Sequence, residues 1–135
     1  MRAFLLLVAF MIALASPARA ADDVAAAQGV IRSQEQAFAR DDATSAYAHA
    51  APAIQEMFPQ ADIFMAMVRG RYAPVYRHRS FEFGEARSAD GRIAQRVHIV
   101  DGDGVAWEAL YTLERQPDGS LKITGCSLLK ARQAA

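Results

Sequence analysis

The residues in this chain best suited to chemistry are the cations and aromatics between Arg69 and Arg79 (RGRYAPVYRHR), where Arg69, Arg71, Arg77, Arg79 and His78 interleave with Tyr72 and Tyr76. A guanidinium offers a planar fork that bonds carboxylate or phosphate oxygens in pairs, and a tyrosine ring stacks on a planar ligand. The segment therefore reads as an anion site. The plain alternative is a solvated helix-to-sheet connection whose tyrosines anchor it in the core. Trp107 and Tyr111 fall on one face of a strand of period two and, with Tyr47, either line an apolar cavity under the helices or fill the core. The candidate ligand-binding residues are thus Arg69, Arg71, Tyr72, Tyr76, Arg77, His78, Trp107 and Tyr111, and the ligand they imply is small and apolar or anionic.

Other constellations fail on spacing. His49, His78 and His98 share no i, i+4 relation and have no carboxylate or Cys at metal-ligand intervals, so no metal and no other cofactor is expected. Met57, Met65 and Met67 read as core filler, Met57 and Met67 at inward helical positions. Asp101-x-Asp103 begins like a calcium loop, but Val105 and Thr112 stand where further ligands are needed. An isomerase-like site needs a carboxylate in an apolar pocket, whereas Glu82, Glu108 and Glu114 fall on strand faces opposite the aromatics. No catalytic residue is assigned. Cys126 is the one cysteine, so no intramolecular disulfide forms. Its neighbours Gly125, Ser127 and Leu128 supply no cation, which favours a buried small hydrophobe over an intermolecular disulfide or a reactive thiol.

The elements that must position these residues follow from period. Ala27, Val30, Ile31, Ala37 and Phe38 make one stripe of a helix over 23–40, with Arg32, Glu35, Gln36 and Arg40 off it. Asp41-Asp42 is a start signal for a second helix that ends before Pro52. Ile54, Met57 and Phe58 define a short third helix stopped by Pro59. A fourth begins after Asp62, turns Phe64, Met67 and Val68 inward, and ends at Gly70 as a left-handed cap. After a break at Pro74 the period becomes two. Four strands are expected: one with Phe81 and Phe83 inward, a second with Ile93, Gln95, Val97 and Ile99 inward, a third with Trp107, Ala109, Tyr111 and Leu113 inward, and a fourth from Leu121 to about Leu129 with a bulge at Gly125. Asp90-Gly91, Asp101 to Gly104 and Gln116 to Gly119 are the turns. Helices followed by an antiparallel meander predict an α+β fold, N-terminal helices packed on a curved four-stranded sheet.

The N-terminus carries an address. Arg2 precedes an apolar run from Ala3 to Ala15, and Ala18 and Ala20 give the small-x-small pattern of a cleavable signal peptide over 1–20, with cleavage before Ala21. That run makes about 20 Å of helix, short of the ~30 Å hydrocarbon core, so no stable membrane anchor is expected. A single domain over 21–130 and a tail over 131–135 follow, in the periplasm or secreted. Cleavage removes Arg2 and Arg19 from 15 Lys and Arg, leaving 13 against 15 Asp and Glu. Such balance gives no electrostatic reason to bind nucleic acid.

Phe64 to Arg69 (FMAMVR), Pro74 to Arg77 (PVYR), Ala109 to Leu113 (ALYTL), Gln116 to Gly119 (QPDG) and Ile123 to Cys126 (ITGC) together resemble an uncharacterised family of exported bacterial proteins, domain of unknown function 4864. The resemblance implies a cone similar to nuclear transport factor 2 and ketosteroid isomerase, with helices closing over a curved sheet, and implies no activity. The expected function is a non-enzymatic small-ligand-binding or protein-interaction module. The alternatives are a small isomerase- or hydrolase-like enzyme using the cone, and a homodimer through an outer sheet face bearing Ala94, Val100, Ala106 and Leu110.

Overall fold

Residues 17–131 are described in the structure, a computed structural model. The apolar run of the expected signal peptide lies outside them, as do residues 132–135 of the expected tail. No described helix is long and apolar enough to cross a membrane.

Helix α1 (Pro17–Ala39) passes unbroken through the Ala20–Ala21 junction. Its inward stripe is the one periodicity predicts, with Ala27, Ile31, Ala37 and Phe38 buried, and it also includes Gln34. Asp41 then turns the chain at φ 57°, a conformation a short polar side chain tolerates. Asp42 caps α2 (Ala43–Ala48), its carboxylate accepting the Ser45 N–H at 3.1 Å. The start signal is therefore two devices, a turn and a cap. Helix α2 ends earlier than expected, because Ala50 forms a parallel bridge to Ile123 on the sheet edge.

Helix α3 (Pro52–Met57) buries none of its residues, and Met57 is 72% exposed instead of inward. Helix α4 (Ala61–Arg71) starts one residue before Asp62 and does not stop at Gly70. Among the described glycines only Gly91, Gly104 and Gly119 have positive φ. Tyr72 N–H still donates to Val68 O at 2.8 Å, so the helical ladder carries the chain past Gly70. Pro74 likewise does not break the chain: it opens the short α5 (Ala73–Tyr76), where a first turn has no use for its missing N–H.

Strands β1 (Ser80–Ala89), β2 (Arg92–Val100), β3 (Ala106–Arg115) and β4 (Leu121–Lys130) form one antiparallel meander in the order β1-β2-β3-β4. Asp90 and Gly91, at φ 51° and 74°, make the two-residue turn whose twist matches the strands it joins. The expected faces hold: Ile93, Val97, Ile99, Ala109, Tyr111 and Leu113 are buried against the helices. On the outer face Ala94, Val100 and Leu110 are half-buried and Ala106 is exposed, beside an Arg96–Glu108 ion pair at 3.0 Å. The register shifts between Phe83 and Ala86 on β1, and on β4 between Ile123 and Gly125, where Thr124, beside the expected Gly125, is the residue left without a partner on β3. Buried Gln95 closes the β1 bulge. Its amide nitrogen donates to Arg96 O at 2.7 Å, Gly84 O at 3.0 Å and more weakly Glu85 O at 3.4 Å, while its oxygen accepts from Gln28 at 3.0 Å.

Candidate functional site

Between α3, α4 and the β4 side of the sheet lies a cavity of about 300 Å³ that opens to solvent. Three local features keep it from filling. Ala50 and Gly125 contribute little side chain to the wall, and α3 spans the opening with no buried residue of its own. The chain between α2 and α3 is fastened to the sheet edge, Ile123 N–H donating to His49 O and Ala51 N–H to Ile123 O, each at 2.8 Å. Tyr47 secures the other end of α3, its hydroxyl 2.6 Å from Phe58 O.

The walls are apolar, made chiefly by Phe38 of α1, Phe58 after α3, and Phe64 and Val68 of α4. The polar lining groups differ in exposure. Tyr111, Cys126 and Gln34 lie inside, while the exposed Arg71 and Thr124 and the half-buried Tyr72 border the solvent side. Burial holds the Tyr111 phenol well above its ordinary value, and the neighbouring Cys126 and Glu35 push the same way. Burial also pushes the half-buried Cys126 thiol up to about 12, against a hydrogen bond with Tyr111 that pulls it down. Neither group ionises near neutral pH, so the cavity floor offers uncharged hydrogen-bonding groups and no base or thiolate nucleophile.

Of the residues singled out in the sequence, Arg71, Tyr72 and Tyr111 line this cavity. The rest of the cationic segment scatters. Arg77 pairs with Asp41 at 2.8 Å, donates to Phe38 O at 2.7 Å, and lies over the Tyr76 ring. Tyr76 packs on Phe38 and donates its hydroxyl to Asp41, and Arg69 covers its ring from α4. This cluster clasps the end of α1 to α5. Arg79 donates its backbone N–H to Val100 O, placing it at the β2 end of the sheet. Trp107 and Tyr47 do not join Tyr111 in the cavity lining. Trp107 donates to Asp101 at 2.8 Å beneath the Lys130 ammonium, and Tyr47 packs its ring on Phe64.

His78 does have a carboxylate partner, 43 residues away. Its Nε2 lies 2.7 Å from Glu35 Oε2 and its Nδ1 3.0 Å from Pro74 O. Glu35, expected on the solvent side of α1, is only 12% exposed and also pairs with Arg32 at 2.6 Å. A carbonyl only accepts, so Nδ1 carries a proton, and both ring nitrogens are committed to tying α1 to α5. Arg32 in turn lies 4.7 Å from the Phe83 ring centre. Among the described residues no three His, Cys, Asp or Glu side chains converge. Gln34 escaped the sequence reading because a glutamine in an apolar stripe looks like a lapse in the pattern. Its recurrence at i+7 from Ala27 and i+3 from Ile31 was the available signal.

A family model described as "Domain of unknown function (DUF4864)" matches residues 20–135. No curated protein and no solved structure matches the chain.

Proposed function

Because the chain belongs to that family, whose description assigns no activity, we propose a function from the site's geometry: the protein is a small-ligand-binding module of the periplasm or secreted space, not an enzyme. The open apolar cavity with a non-ionising floor carries this reading. Its volume stands at the lower end of the roughly 300–1,000 Å³ of small-molecule sites. The resemblance to nuclear transport factor 2, which implies helices closing over a curved sheet, supports the same reading. The signal-like N-terminus supports that location. Binding of the fluorescent probe 1-anilinonaphthalene-8-sulfonate to the purified protein tests the proposal. Ala50→Leu and Val68→Phe push extra carbons into the cavity and are expected to abolish binding while the far-UV circular dichroism stays native. Undiminished probe binding by natively folded forms of both variants would place the probe elsewhere and remove the reading.

A further inference from the structure

The polar groups of the cavity differ in burial, and two of them, the Gln34 oxygen and Arg71, have polar atoms that no described residue bonds. Gln34 is 4% exposed. Its amide nitrogen donates to Ala46 O at 3.2 Å. A carbonyl accepts and never donates, so this bond fixes which end of the amide is nitrogen. The amide oxygen accepts no hydrogen bond among the described residues, yet it is not sealed away from the cavity space. That oxygen is therefore free to accept a hydrogen bond from whatever fills the cavity, water or a ligand hydroxyl. The Tyr111 hydroxyl, held in its protonated form, shares this lining.

The second group is Arg71. As the last residue of α4 it stands exposed on the cavity's solvent side. Among the described residues it makes no ion pair, which is true also of Arg69, Arg79 and Arg87, but of these four only Arg71 lines the cavity. A buried acceptor-bearing amide, a buried phenol and an exposed cation thus share one lining with three phenylalanine rings.

Resting on the binding function proposed above, we propose that the ligand is an aromatic monocarboxylate bearing a hydroxyl at the end remote from its carboxylate. The hydroxyl donates to Gln34 Oε1, the ring lies among Phe38, Phe58 and Phe64, and the carboxylate meets Arg71. Each end of the ligand satisfies one of the two groups, and the apolar walls hold its body.

Three probes of nearly equal size separate these contacts: 3-(4-hydroxyphenyl)propanoate, 3-phenylpropanoate and methyl 3-(4-hydroxyphenyl)propanoate, each titrated calorimetrically into the purified protein. The hydroxy acid is expected to bind about five- to tenfold more tightly than the deoxy acid, the worth of one buried hydrogen bond. Its advantage over the ester is expected to be about three- to tenfold and to shrink in high salt, because Arg71 is exposed. Gln34→Met erases the first preference and keeps the second. Ala46 O retains the His49 N–H at 3.3 Å in that variant, so the fold has no buried carbonyl left bare. Arg71→Met does the reverse. Equal affinities for the three probes, or preferences that survive their matching variants, overturn this ligand class. So does binding of the anilinonaphthalene probe with no binding of any of the three, which leaves the cavity reading standing. Loss of anilinonaphthalene binding as the test of the cavity reading is independent of either preference.

Discussion

Replacing Gln95 with leucine removes one side chain on which the curvature of β1 depends. Gly84 and Glu85 stand together opposite Arg96 where the β1–β2 register shifts, so their carbonyls miss the regular ladder. The Gln95 amide has two N–H groups, enough for the bonds of 2.7 Å to Arg96 O and 3.0 Å to Gly84 O, with the 3.4 Å approach to Glu85 O adding little. Gln95→Leu keeps the volume and leaves these carbonyls and the Gln28 amide without their partner. At about 1–3 kcal/mol for each of the two carbonyls bonded at 3.0 Å or less, offset by about 1 kcal/mol from the more apolar side chain, the net cost is about 1–5 kcal/mol. That is a large part of the ~5–15 kcal/mol that holds such a domain together, and corresponds to a fall in Tm of roughly 5–25 °C. Gln28→Ala removes only the outer bond of 3.0 Å from a half-buried group, worth about 1 kcal/mol. Urea unfolding followed by circular dichroism, with the midpoint compared at constant slope, measures both. The reasoning fails if Gln95→Leu costs under about 1 kcal/mol, or if Gln28→Ala costs as much as Gln95→Leu.

The Cys126 thiol, raised from 9.0 to about 12, is expected to hold about a thousandfold less thiolate near neutral pH than a thiol at the unshifted value, to react with iodoacetamide at least about tenfold more slowly, and to recover reactivity in urea; rapid native-state alkylation would contradict its burial. Asp101 is held below its ordinary 3.8, first by the Trp107 N–H and then by the Val105 N–H. Its ionised form therefore contributes stability above pH 3.8 that fades as pH falls below it. Emission of Trp107, the single tryptophan, should stay constant down to about pH 4 and move below it, and Asp101→Ala should abolish that step. Tyr47→Phe removes the hydroxyl that holds Phe58 O while keeping the ring against Phe64. It should cost about 1 kcal/mol and speed amide exchange across α3 more than across α4, which a hydrogen-exchange time course reads directly.

Sequence determined here what is local and periodic. Alternation placed Ile93, Val97, Ile99, Ala109, Tyr111 and Leu113 on one buried face, because a strand has only two faces and a slip would expose them all. Asp90-Gly91 and Asp42 were legible because each chemistry suits a particular turn or cap. The site was not local. Arg69 and Arg71 are two residues apart, and whether both serve one anion depends on whether α4 stops at Gly70. It continues, so helical geometry turns them about 200° apart, Arg69 onto Tyr76 and Arg71 to the cavity. Gln28 with Gln95, Glu35 with His78, and Tyr76 with Asp41 meet across 67, 43 and 35 residues. No spacing rule reaches that far, because those meetings are set by how α1 lies across the sheet. Only that packing decided that Gln34 lines an open cavity, that Glu35 is half-buried beside an imidazole, and that most of the basic segment clasps helices together while Arg71 faces solvent beside the cavity.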